Sequence, residues 1–428
     1  MEQLYQKYLS CTGVSTDTRK IEPGDLFFAL KGPNFNGNAF ARKALESGAK
    51  YLVLDEIIDP TLADMPEVIL VDDALSALQE LARHHRRQFN IPIIAVGGSN
   101  GKTTSKELIH KVLAAQFRTF ATPGNLNNHI GVPLTLLQMP LNTQMAVIEM
   151  GANHAGEIAE LCKIAEPNFG IITNIGMDHL EGFGSIHGVA QANGELYDFL
   201  QKNQGKIFVN TQEEMLVQLS AHFPEKITYP SPGDYFHAEL IPSDFFLKIQ
   251  TEAGETVQTQ LFGEYNFANI ATALCIGKYF GVKSSSANQA VAEYQPANQR
   301  SQLIEKRSNT IILDAYNANP SSMTLALQSF AKIKGSYKVV ILGDMNELGE
   351  LSTQEHLNLG KLLAELRFDL VILHGKEIQA ALTDNPKAYY FPDKFSLHNW
   401  LTDRKLENAH VLIKGSRGMT LESVLLSL

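Results

Sequence analysis

Two glycines, a lysine and two threonines meet in the turn Gly98-Ser99-Asn100-Gly101-Lys102-Thr103-Thr104. Gly98 and Gly101 let the backbone aim its N–H groups at one point, and a following helix N-terminus makes that point electropositive. Such a point suits a phosphate. Lys102 can set its ammonium against the outer phosphates of a nucleotide, and the Thr103 hydroxyl can bind the magnesium ion that bridges them. The spacing is a shortened Gly98-x-x-Gly101-Lys102-Thr103, because Val96 stands where the commoner phosphate loop has its first glycine. An ordinary glycine turn with a chance surface lysine is the competing reading; these residue types at the one place where all are useful favour nucleotide binding.

A loop of this kind works between a strand and a helix. Residues 91–96 are a short β-branched run, as a strand buried on both faces of a parallel sheet should be, and 105–115 read as a helix. Two further buried-type runs follow: 145–151, with Glu149 near its end, and 169–175, followed by Asp178-His179. Ligands of an open parallel sheet sit beyond the carboxyl ends of its strands, so Thr103, Glu149 and His179 are expected to converge. A triphosphate needs such company, since two unit charges about 4 Å apart interact by roughly 4 kcal/mol even at an effective dielectric of about 20. Glu149 offers oxygen to a hard cation such as magnesium, while His179 is a softer and less usual ligand. A lone histidine after a strand is more often structural, but its position favours the site. Lys102, Glu149 and His179 are the expected catalytic set; Thr103, Glu149 and His179 are the expected metal ligands.

The 428 residues allow about three domains, placed at 1–87, 88–296 and 297–428. In the first, a small α/β unit, Asp17, Thr18 and Arg19 lie near strand ends, either holding an anionic nucleotide or serving as turn residues. Its closing helix, 73–89, ends in His84-His85-Arg86-Arg87, read as a solvated linker. In the second, the loop 122–133 carries Asn125, Asn127 and Asn128, suited to neutral recognition of a peptide or sugar and also to turn chemistry. Residues 229–263 read as hairpin-like β structure around Glu252-Ala253-Gly254. Asn266 and Asn269 then stand one turn apart on a helix, where amides can read an adenine edge or serve as caps. The third domain alternates strands and helices as a doubly wound α/β unit, with no Gly-x-Gly-x-x-Gly after its first strand.

A 44% apolar, 19% charged composition is that of an ordinary folded chain, and a net charge of -10 argues against a nucleic-acid partner, which calls for a basic face. No apolar run reaches membrane-spanning length, and the first ten residues do not read as a signal sequence. Cys11, Cys162 and Cys275 have neither metal-ligand nor Cys-x-x-Cys spacing and read as buried thiols in a reducing compartment. The expectation is a cytoplasmic protein without membrane or nucleic-acid partners.

With these residues in view, the chain resembles the Mur ligases, the ATP-dependent amide-bond ligases of bacterial cell-wall synthesis, over nearly its whole length. The loop Gly98 to Thr104 is similar to the ATP loop that this family shares with folylpolyglutamate synthases. Gly124-Asn125-Leu126-Asn127-Asn128, His179-Leu180-Glu181-Gly182-Phe183-Gly184-Ser185, Asp314-Ala315-Tyr316-Asn317-Ala318-Asn319-Pro320, Leu342-Gly343-Asp344-Met345-Asn346-Glu347-Leu348-Gly349 and Lys414-Gly415-Ser416-Arg417 resemble the D-alanyl-D-alanine-adding, MurF type. The resemblance implies an α/β, three-domain architecture: a small N-terminal domain, a central P-loop ATPase-like domain and a C-terminal Rossmann-like doubly wound domain. It implies that Asp17, Thr18, Arg19, Asn36 and Gly37 hold the UDP end of UDP-N-acetylmuramoyl-tripeptide. Asn266 and Asn269 would meet the adenine of ATP, Arg300 its phosphates and Asp314 its ribose. Asn127, Asn128, Asn317, Asn319, Lys414, Ser416 and Arg417 would contact the substrates, the third domain carrying the D-alanyl-D-alanine site.

The implied cofactors are ATP and Mg2+, the implied reaction is amide formation through an acyl phosphate, and a monomer is expected. Three stretches depart from the family. Asn36-Gly37-Asn38 stands where Asp-Gly-His is usual, and Tyr265 where histidine is common. Asn193 stands where the family bears a carbamylated lysine that helps bind a second magnesium. Either Glu195 or substrate oxygens hold that second ion, or the enzyme relies more on its first. The alternatives are another Mur-type or folylpolyglutamate-type amino acid ligase, or a non-catalytic nucleotide-binding switch.

Overall fold

Runs of β-branched and aromatic residues alternate with helices along the chain, and each third of it closes its own sheet. The computed structural model describes residues 1–335 and 337–428. In the first domain four parallel strands run in the order Val14–Ser15, Leu26–Phe28, Tyr51–Leu54, Val68–Leu70. The central sheet has six parallel strands, in the order Lys226–Tyr229, Lys206–Asn210, Phe169–Ile172, Ile93–Gly97, Met145–Glu149, Thr119–Ala121. The strand Ile93–Gly97 therefore has Phe169–Ile172 on one side and Met145–Glu149 on the other, and the strand order reverses across it. That is a topological switch point, where a crevice opens beyond the carboxyl ends of the strands. Every residue of Ile93–Gly97 and of Met145–Glu149 is buried, which is why both read as unbroken apolar runs.

The β structure expected at 229–263 is a three-stranded antiparallel sheet, Ala238–Ile241, Phe246–Thr251 and Thr256–Phe262, with Glu252-Ala253-Gly254 in its last turn. The third domain has six strands in the order Gln302–Lys306, Asn309–Asp314, His410–Lys414, Lys338–Gly343, Leu370–His374, Tyr389–Phe391. All pair in parallel except the first, an antiparallel edge strand. The sequence reading passed over that strand, since Gln302, Glu305 and Lys306 interrupt the apolar run that marks the inner strands. Apolar clusters fill both faces of this sheet, one around Phe330 and Leu342, the other around Ile341 and Val411.

The stretch His84-His85-Arg86-Arg87 is not a solvated linker throughout: His85 and Arg86 are buried, while Arg87 stays exposed. The helix Ala74–Arg86 presents Leu78, Leu81, Ala82 and His85 on one buried face, at i, i+3, i+4 and i+7. His85 is hydrogen-bonded on both ring nitrogens, to the Tyr5 hydroxyl at 3.1 Å and the Met139 carbonyl at 3.2 Å. Arg86 is tolerated inside because its guanidinium donates to the carbonyls of Ala165, Phe89 and Glu166 at 2.8–2.9 Å. One continuous core, including Phe28, Leu81, Ala95 and Ile148, joins the first domain to the central one.

Candidate active site

A cleft of about 950 Å³ opens over the switch point and is lined by residues of the central and third domains. Its floor is the turn Gly98–Thr104. Gly98 and Gly101 have φ of +115° and +80°, and close approach as well as conformation excludes a side chain there. A Cβ on Gly98 would lie 2.2 Å from Thr173 Oγ1, and one on Gly101 2.6 Å from Asn269 Oδ1. The turn is braced from the neighbouring strand end. Asn174 accepts from Ser99 N–H with its carbonyl (3.0 Å) and from Asn100 N–H with its side chain (3.1 Å). Thr173 donates to the Asn100 carbonyl (2.7 Å), and Asp178 accepts from the Ser99 hydroxyl (2.6 Å). The helix Lys102–Ala114 starts without a side-chain cap, so its first-turn N–H groups are left for a ligand. Lys102 Nζ folds back on the Gly98 and Ser99 carbonyls at 2.6 and 3.0 Å, over the point where a phosphate belongs.

Glu149 reaches the same floor from Met145–Glu149. Its Oε1 accepts from the Thr103 hydroxyl at 3.1 Å and from Asn127 Nδ2 at 2.8 Å. Its Oε2 is buried with no hydrogen-bond partner, and the Lys106 ammonium stands 4.0 Å away. A buried carboxylate oxygen left orphaned beside a hydroxyl is an unmet demand for a cation, and the all-oxygen donor set suits magnesium. Lys106 itself is held by the Thr122 and Gly124 carbonyls at 2.9 and 3.1 Å, and burial pushes its ammonium below the usual lysine range against the pull of Glu149. Sequence reasoning missed Lys106; its place one turn beyond Lys102 was the available signal.

His179 lines the same cleft, but its Nδ1 pairs with Glu347 Oε2 of the third domain at 2.6 Å. That hydrogen bond holds the Glu347 carboxyl below the usual range. Any metal contact by His179 falls to Nε2. On the helix Ile186–Lys202, both Asn193, at the usual carbamylated-lysine position, and Glu195, the candidate for a second cation, are hydrogen-bonded to other elements. Asn193 Oδ1 accepts from Gly98 N–H at 2.8 Å, and Glu195 caps the helix Glu157–Ala165 by accepting from Gly156 N–H (2.6 Å) and Ala159 N–H (2.9 Å).

The other expected residues divide in the same way. Asn269 accepts from the Ser105 hydroxyl and donates to Asn266, and Asn266 donates to the Phe262 carbonyl, so both amides brace the loop and helix from within. Asn127 serves Glu149, whereas Asn128 accepts from Ile130 and Gly131 N–H at the start of the helix Gly131–Leu137. From the third domain, Asn319 caps the helix Pro320–Lys332 and donates to Asn100 Oδ1 at 2.9 Å, so that domain touches the phosphate loop directly. Arg300 lies over the Tyr316 ring at 3.5 Å with no carboxylate partner among the described residues. Arg417 is held by Gln299 and Glu422. Asp314 accepts from Ser301 N–H and from Lys414 Nζ, which also donates to the Asn317 carbonyl; Ser416 ties Ala318 to Asn346. Asp17, Thr18, Arg19, Asn36 and Gly37 lie outside the cleft lining, on the first domain. There Asp17 and Arg19 pair with each other at 2.7 Å.

Known proteins resemble this chain over nearly its whole length. Family models match three successive parts: Mur ligase family, catalytic domain, at residues 10–86; Mur ligase middle domain at 96–277; and Mur ligase, glutamate ligase domain, at 299–417. The UDP-N-acetylmuramoyl-tripeptide--D-alanyl-D-alanine ligase of Bacillus subtilis is 37% identical over 427 residues, covering 96% of this chain and 92% of that protein. A crystal structure of MurF from Acinetobacter baumannii superposes with a TM-score of 0.87 at 32% identity, covering 99% of this chain and 97% of the other. MurF ligase from Thermotoga maritima, crystallised in complex with ADP, gives 0.85 at 26% identity over 98% and 97%. The chain belongs to the Mur ligase family, the ATP-dependent ligases that the phosphate loop and the three sheets pointed to. Within it, the chain is of the MurF type.

Proposed function

We propose that the chain joins D-alanyl-D-alanine to UDP-N-acetylmuramoyl-tripeptide at the expense of ATP, supplying the pentapeptide precursor for peptidoglycan. The observation that carries this reading is the pairing of Thr103 with Glu149, and the orphan Glu149 oxygen, at the mouth of an uncapped phosphate-loop helix. A carboxylate is a poor electrophile and must be activated. The tripeptide's terminal carboxylate oxygen bonds to the γ-phosphorus as the bond to the β,γ-bridging oxygen breaks and ADP leaves. The amine of D-alanyl-D-alanine then adds to the acyl carbon, gives up a proton, and phosphate departs with the C–O electron pair.

Lys102 unfolds from the Gly98 and Ser99 carbonyls to meet the charge moving in the first step, and Arg300 approaches the same phosphates. Thr103 and Glu149 would hold magnesium, with Asn127 orienting the carboxylate; the ion would supply Lewis-acid polarisation and charge neutralisation. The contacts of Asn319 with Asn100 and Glu347 with His179 keep the third domain over the loop, excluding water from the acyl phosphate. We read the chain as a monomer, and the three unpaired cysteines support a reducing, cytoplasmic setting.

Incubating the protein with ATP, magnesium, UDP-N-acetylmuramoyl-tripeptide and D-alanyl-D-alanine, with single amino acids in parallel reactions, tests the proposal by mass spectrometry. The expected result is ATP-dependent pentapeptide from the dipeptide alone, and no ADP from Lys102→Ala with its fold intact. Product only from a single amino acid, or turnover retained in Lys102→Ala, would contradict it.

A further inference from the structure

Asn193 sits in the middle of the helix Ile186–Lys202, 7% exposed, and no step of the reaction uses it. Its side chain makes two opposite hydrogen bonds: Oδ1 accepts from Gly98 N–H at 2.8 Å, and Nδ2 donates to the Val189 carbonyl at 2.9 Å. The helix that carries it is a fixed platform. Val189, Ala192, Leu196 and Tyr197 are buried, and Glu195 clamps the N-terminus of the helix that follows the Glu149 strand.

We infer that Asn193 is a positioning residue that sets the phosphate loop by withholding the Gly98 amide from the nucleotide, leaving the amides from Gly101 onward to receive the phosphates; this rests on the nucleotide reading of the loop. With φ at +115°, Gly98 turns its N–H inward, and an acceptor must wait there or a buried donor is left unpaired. The side-chain amide of Asn193 meets both demands at this site. Leucine would fill the space without an acceptor, a lysine ammonium would oppose Gly98 N–H, and aspartate would accept from Gly98 but face the Val189 carbonyl with no donor.

The test is amide hydrogen exchange on [15N]glycine-labelled full-length protein, with and without ADP and magnesium, together with ADP affinity by calorimetry. In the parent, the Gly98 amide is expected to be protected before ADP is added and unchanged by it, while the Gly101 amide gains protection. Asn193→Leu should expose Gly98 and weaken ADP by about tenfold or more, with affinity for the UDP-linked substrate kept. Asn193→Asp should keep Gly98 protected. If the leucine variant does not fold, Asn193→Ala takes its place with the same expectation. A Gly98 amide that gains protection on ADP binding, or ADP affinity unchanged in the leucine or alanine variant, would overturn the inference. A parent that binds no ADP would instead remove the nucleotide reading beneath it.

Discussion

Glu149 and Asp314 are carboxylates in the same kind of place, each ending a parallel strand beside a buried lysine, yet they are held differently. Asp314 has both oxygens engaged, by Ser301 N–H at 3.0 Å and Lys414 Nζ at 2.7 Å. Glu149 has one oxygen satisfied by Thr103 and Asn127 and one orphaned, with its lysine held off at 4.0 Å by two backbone carbonyls. The first arrangement is complete without a ligand and ties neighbouring strand ends of the third domain. The second leaves one buried oxygen without a hydrogen-bond partner, the place proposed for the cation. Proximity of acid and base is therefore not what separates the two; an unmet lone pair is. Ribose hydroxyls can still reach Asp314, whose oxygens each keep a second lone pair, but they would add to a formed pair.

The largest effect should come from breaking the incomplete member. Glu149→Gln keeps the shape, and Lys106 keeps its two carbonyls, so the melting temperature should move little. ADP formation should fall by about a hundredfold to a thousandfold. A rate near that of the parent would show that the orphan oxygen holds nothing. Lys414→Met should do the opposite, costing about 3–5 kcal/mol of stability in denaturant melts because it leaves Asp314 unpaired in a largely buried site. A loss no larger than that of Glu149→Gln would dissolve the contrast.

A smaller effect sharpens it with a buried polar group remote from both. Burial depresses the His85 pKa below its ordinary 6.5, so the unfolded chain takes up the proton first. Its contribution is present above that value and is lost as pH falls through the lower folded one, with a slope of at most about 1.4 kcal/mol per pH unit. His110 is shifted the same way by burial. His85→Gln should flatten the fall in melting temperature as pH drops below about 6.5 without abolishing it. An identical pH profile would mean that His85 is not held neutral.

The fold was legible wherever burial wrote an unbroken apolar run, as in Ile93–Gly97 and Met145–Glu149, and not at the edge strand Gln302–Lys306, whose polar residues break the run. Glu149 could be found because its strand end marks the crevice. Its division into a used and an unused oxygen could not, since Thr103 and Lys106 come from the helix Lys102–Ala114 and Asn127 from a separate loop. Asn127 and Asn128 are adjacent in sequence and have unrelated fates, one turned to the site and one to a helix start, which no spacing distinguishes. His85 shows the converse. Its place at i+7 from Leu78 on the apolar face was readable, and charge in the neighbouring residues obscured it.

The most direct measurement is a crystal structure with a non-hydrolysable ATP analogue and manganese, which is located by its anomalous signal. The predicted result is the triphosphate on the turn Gly98–Thr104, with Lys102 drawn off its carbonyls and a manganese peak bound by Thr103 and the free oxygen of Glu149. A nucleotide lodged elsewhere, or manganese bound without Glu149, would contradict the proposed site.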